Sequence, residues 1–131
     1  MVEIALVLDE DGAIERMDFS GHATPKIPRI KGFWRRHQGL NEEAMAHRSA
    51  CAAVTLMART VARMAASGTG WTVDGNTPSP GNLSLEILRR PEDAIEWWRG
   101  VSETLLQALA DVESEYPGSI SVSIEEKYHG S

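Results

Sequence analysis

Arg48-Ser49-Ala50-Cys51-Ala52-Ala53-Val54-Thr55 places the only cysteine of the chain at the head of its most alanine-rich segment. From Ser49 to about Ser67, Cys51, Val54, Ala58, Val61 and Ala65 recur at helical spacing, while Thr55, Arg59 and Arg63 mark a more polar face. This predicts an amphipathic helix with Cys51 on its core side. Two starts compete. Asn41-Glu42-Glu43 supplies a cap and first-turn acids, and Ser49 supplies a second cap. A start at Ser49 puts Cys51 in the first turn, where free backbone N–H groups and the positive dipole end favour a thiolate. A start at Asn41 buries it nearly three turns in, beyond the reach of that effect. A break, or a separate short helix, is expected before Ser49.

Upstream, residues 2–8 (Val-Glu-Ile-Ala-Leu-Val-Leu) read as a strand with one buried face. Asp9-Glu10-Asp11-Gly12 is turn chemistry, since glycine accepts positive φ and aspartate bonds nearby backbone. The return strand, 13–19, is expected to turn Ala13, Glu15, Met17 and Phe19 to one side and Ile14, Arg16 and Asp18 to the other, ending at Ser20-Gly21-His22. Downstream, Trp71-Thr72-Val73 is a short strand candidate, residues 74–82 read as turn or loop, and Leu83, Leu85 and Ile87 alternate as a half-buried strand. Pro91 opens a second helix whose apolar stripe runs from Ala94 through Trp97, Trp98, Val101, Leu105, Ala108 and Leu109 to Val112, with both tryptophans assigned to the core. Tyr116-Pro117-Gly118 stops it, and Ile120, Val122 and Ile124 form the closing strand. The order implies an α+β fold: a two-layer sandwich with a mainly antiparallel sheet of four or five strands and both helices on one face.

The length, 131 residues, suits a single domain spanning 1–131, with a long loop or insertion at about 24–47. No apolar run approaches a membrane span, and the N-terminus lacks the features of a secretory signal, so a cytoplasmic protein is expected. The net charge of −6 argues against nucleic-acid binding by the whole surface. It is unevenly spread: residues 24–38 carry Lys26, Arg29, Lys31, Arg35 and Arg36 with no acid, leaving eight basic against nineteen acidic residues elsewhere. That loop also holds Phe33 and Trp34, which either anchor it to the body or, with Arg35 and Arg36, contact a substrate. One cysteine and four scattered histidines give no metal-ligand spacing, and no glycine loop for phosphate is present, so neither metal nor cofactor is expected.

A cysteine attacks as the thiolate and needs a base beside it. His22, at the end of the hairpin, is the best candidate. His37 lies in the loop, His47 precedes Cys51 by four residues and His129 is near the C-terminus.

Gly21-His22-Ala23 after a hairpin, Cys51-Ala52-Ala53-Val54-Thr55 opening a helix, and Tyr116-Pro117 before a last strand together resemble the ribosomal-processing cysteine protease (Prp) family. The resemblance implies Cys51 as nucleophile and His22 as general base, with Gly21, Thr55 and Arg48 in supporting places. It further implies removal of a short N-terminal extension from a bacterial large-subunit ribosomal protein, a peptide segment of that protein as partner, a homodimer, and a substrate-facing role for residues 24–47. On this reading the N–H groups at the helix start stabilise the oxyanion. Arg48 stands where the family has an acid, Thr55 where it has serine, and the segment between the motifs is longer than the family's. The alternative is a noncatalytic ribosome- or protein-binding module of the same fold, using the basic aromatic loop 24–38 against an acidic protein or RNA.

Overall fold

The strand β1 (Val2–Leu8) alternates strictly, with Val2, Ile4, Leu6 and Leu8 buried and the residues between them facing outward. A computed structural model describes residues 1–21, 38–77 and 82–127 of the chain. The remaining described elements are β2 (Ile14–Ser20), the helix α1 (Gln38–Ala66), β3 (Thr72–Asn76), β4 (Leu83–Arg89), the helix α2 (Ile95–Glu115) and β5 (Ile120–Glu126). They form one five-stranded sheet in the order β3-β4-β2-β1-β5. Three pairings are antiparallel, and only β5 runs parallel to β1. Since β1 buries a single face, both helices cover the same side, and the expected α+β two-layer sandwich is the observed one.

The β1–β2 turn is built as its residues dictate. Asp9 Oδ1 accepts the N–H groups of Asp11 and Ala13, and Gly12 takes φ +76°. Arg90, just past β4, holds this turn with Nη1 3.0 Å from Asp9 Oδ2 and Nη2 3.2 Å from Asp11 Oδ2. The return strand departs from the expected alternation. Leu8 faces Ile14 but Val7 faces Arg16, so Glu15 is an extra residue, a β-bulge. The bulge shifts the phase by one, and Ile14 is buried on the same side as Met17 and Phe19 instead of opposite them. Its backbone is met by α2: the Ile14 N–H donates to Ser102 Oγ at 2.9 Å, and Trp98 Nε1–H donates to the Ile14 carbonyl at 2.7 Å. Both side chains are fully buried.

Three further expectations are corrected. The helix α1 has no break before Ser49; it is continuous from Gln38, so residues 38–47 are helix and not part of a loop. The alanines and long unbranched side chains from Met45 onward propagate a helix without requiring a cap at Ser49. Of the expected loop, residues 22–37 lie outside the described residues. Second, Asp74, Gly75 and Asn76 belong to β3, because β4 offers them partners that composition does not reveal. Third, the tryptophans divide. Trp98 is core, whereas Trp97 is 47% exposed and meets Trp71 edge-to-face and Trp98 at a tilt, with ring centroids 6.0 Å away in each case. A 3₁₀ turn, Glu92–Ala94, follows Pro91 and leads into α2. Among the described residues no helix is long and apolar enough to cross a membrane.

Replacing Ser102 by alanine leaves the buried Ile14 N–H without its acceptor. The expected loss is about 1–3 kcal/mol of unfolding free energy, read from urea denaturation of the two proteins; an unchanged midpoint would show that the bulge does not need this bond.

Candidate functional site

Cys51 lies more than three turns into α1. The N-terminal N–H groups and the dipole of that helix are therefore out of its reach, and neither thiolate stabilisation nor an oxyanion site can come from the helix start as the sequence suggested. The thiol is 3% exposed, at the margin of the core, with Ala50 and Val54 fully buried beside it. Its Sγ sits 3.8 Å from Thr55 Oγ1, a weak hydrogen bond in which either atom can donate. Thr55 is half-buried, so the thiol has a hydroxyl beside it, and Arg48 occupies an exposed position one turn earlier on the helix.

Helical geometry sharpens this. Side chains of an α-helix lean toward its N-terminus and cover the preceding turn. Thr55 leans onto Cys51, as the 3.8 Å contact records, and Cys51 in turn leans over the turn that carries His47 and Arg48. His47, Cys51 and Thr55 form one i, i+4, i+8 row, and Arg48 flanks it at i−3 from the cysteine. The sequence alone favours His22, at the end of the hairpin, over His47. The i, i+4 spacing was the signal, and the continuity of α1 gives it meaning. His47 is half-buried.

Gly21 follows β2 with φ +132°, a conformation that only glycine adopts readily. A Cβ there would fall 2.5 Å from the Met1 carbonyl oxygen and 3.0 Å from Val2 Cα, so the backbone passes closely over the start of β1. This tight passage is the described lead-in to His22. His22 itself, and Phe33, Trp34, Arg35 and Arg36, lie outside the described residues. The site residues that the structure brings together are thus Cys51, Thr55 and Arg48, joined by His47.

No protein-family model matches the chain, and no curated protein matches it in sequence. Solved structures do resemble it in fold. The essential ribosomal processing protease Prp of S. aureus, in complex with a covalently linked product peptide, superposes with a TM-score of 0.63 at 15% identity, covering 95% of this chain and 100% of that one. SMU.848 from Streptococcus mutans gives 0.63 at 16% identity, covering 97% and 96%. The S. aureus protease with a substrate peptide gives 0.59 at 15% identity, covering 95% and 100%. At these identities the likeness is one of fold: the chain shares its architecture with these structures.

Proposed function

We propose that this chain is a cysteine endopeptidase, with Cys51 as nucleophile and His22 as general base. The observation that carries the reading is the whole-length fold likeness to a protease whose structure holds a covalently linked product peptide. A covalent link to a peptide needs a nucleophile, and this chain has one thiol, seated beside a hydroxyl at the margin of the core. His22 takes the thiol proton, the thiolate attacks the scissile carbonyl, and the imidazolium gives its proton to the leaving amine. Water then releases the acyl group from sulfur. Thr55 positions the thiol through its hydroxyl. Arg48, in place of an acid, puts positive charge near the thiolate and takes over part of what a helix N-terminus would supply. The substrate class that follows is a peptide segment of a ribosomal protein, cut near its N-terminus.

A second reading has its own observation. A thiol that is 3% exposed and mid-helix packs as a small hydrophobe, which fits a noncatalytic binding module of the same fold. The alkylation rate of Cys51 in the folded protein separates the two. The endopeptidase is expected to alkylate readily in the folded state at neutral pH, and more slowly once His22 is replaced by alanine. A thiol inert until the protein is unfolded would refute it. Alongside, Cys51→Ala is expected to lower kcat on a peptide carrying the ribosomal-protein N-terminal extension by on the order of 10⁴-fold or more.

The proton partner can be distinguished by the same measurement. If His22 is the base, His47→Gln leaves the rate of alkylation at neutral pH in place while His22→Ala lowers it. The reverse pattern would transfer the role to the imidazole one turn from the thiol in α1.

A further inference from the structure

The helix layer carries a groove that neither the core nor the candidate site explains. It lies along the seam between α1 and α2, has a volume of about 270 Å³, and is floored by Met57, Val61 and Met64 from one helix and Val101, Leu105 and Ala108 from the other. Thr60 and Thr104 stand at its rims, and no charged residue lines it. Met57 and Met64 are unbranched and polarizable, so the floor adapts to the shape of an apolar guest. A concave apolar surface with a few polar groups at its edge is the form that small-molecule sites usually take.

The two ends of the groove differ in charge. The helices run antiparallel, because Trp71, just beyond α1, meets Trp97 and Trp98 in the first turn of α2. The Met64 end of the floor therefore lies toward Val101, and the Met57 end toward Ala108. Past Met64 an open depression continues the groove from Thr60 and Met64 to Arg63 and Ser67. Among the described residues Arg63 makes no ion pair. The acid that follows Thr104 and Ala108 along the same stripe of α2 is Asp111, one turn past Ala108 and so at the opposite end. One end thus offers a guanidinium and a threonine hydroxyl, and the rest of the length is aliphatic wall. A guest that matches it carries a single negative head on an apolar chain: a neutral chain leaves Arg63 unused, and a second charge would fall on the uncharged floor.

We propose that this groove binds a free medium-chain aliphatic carboxylate, its chain laid along the α1–α2 seam and its head at Arg63 and Thr60. Arg63 supplies charge-assisted donors, and the Thr60 hydroxyl supplies another. The volume sets the chain length. A methylene takes roughly the space of a water molecule, about 30 Å³, so the groove holds on the order of eight to ten carbons. Cys51 plays no part in this site, which stands or falls separately from the peptidase reading.

Calorimetric titration of the full chain with hexanoate, octanoate, decanoate and dodecanoate tests the assignment. From hexanoate to octanoate the affinity is expected to rise roughly fifteenfold, two methylenes at about 0.8 kcal/mol each. It is expected to level off between decanoate and dodecanoate, where the groove is full. Arg63→Gln is expected to weaken octanoate about fivefold, the upper end for an exposed ion pair, and to leave octan-1-ol unchanged. Ala108→Leu, which fills the floor, is expected to weaken both at least about tenfold with the circular dichroism of the folded wild type. No binding of decanoate at about 1 mM, an affinity that keeps climbing through dodecanoate, or octanoate binding indifferent to either substitution overturns the proposal. So does a chain that sediments at twice its 14.4 kDa and takes up no decanoate, since a second copy then fills the groove.

Discussion

The bulge at Glu15 is the constraint on which the layers are aligned. An extra residue in β2 turns Ile14 into the core and takes its amide and carbonyl out of the simple β1–β2 alternation. A buried backbone amide left without a partner costs about as much as a lost hydrogen bond, so some element must supply an acceptor and a donor there. Trp98 and Ser102 do so from adjacent turns of α2, at 2.7 and 2.9 Å. Two directional bonds to one residue fix both the rotation of α2 and its position along the strand, which apolar contact alone leaves free. The end of α2 is then placed for the Tyr116–Ser119 turn. There the Val2 N–H donates to the Ser119 carbonyl, and β5 enters parallel to β1.

Fixing α2 also fixes α1, because the seam between them runs through Val61, Val101 and Leu105. The position of Cys51 is thus inherited from a hydrogen-bond pair on another helix. What α1 does not give the thiol is the electrostatic help of a helix terminus. The macrodipole acts through the unpaired groups of the first turn, and Cys51 is well past them. Any activation must come from side chains brought to the turn over which the sulfur leans, and on α1 these are His47 and Arg48. A guanidinium at position 48 is consistent with a thiol that has lost that help.

The elements with strict periodicity were legible in the chain. Even-numbered apolar residues of β1, the Asp9–Gly12 turn, the closing strand and the α2 stripe all declare themselves locally, and the two-layer arrangement follows from them. Three features did not. The bulge is a tertiary event: nothing in Ala13-Ile14-Glu15-Arg16 signals a phase shift that exists only because Ser102 and Trp98, more than eighty positions away, accept and donate at that point. The extension of β3 through Gly75 depends on pairing with β4, which overrides a turn-like composition. The start of α1 was misplaced because Ser49 is a good cap, and a good cap ends a helix only if the preceding residues prefer something else; Met45-Ala46-His47 do not.

The two flanks of α1 can serve different purposes because of how a helix turns. Thr60, at the groove rim, is nine residues from Cys51, and at about 100° per residue that separation is close to half a revolution. The thiol row of His47, Cys51 and Thr55 consequently faces away from the seam that α1 shares with α2. The groove stripe of Thr60 and Met64 and the rim from Arg48 to Thr55 are thus separate surfaces of one helix, and a change on either can reach the other only through the helix itself.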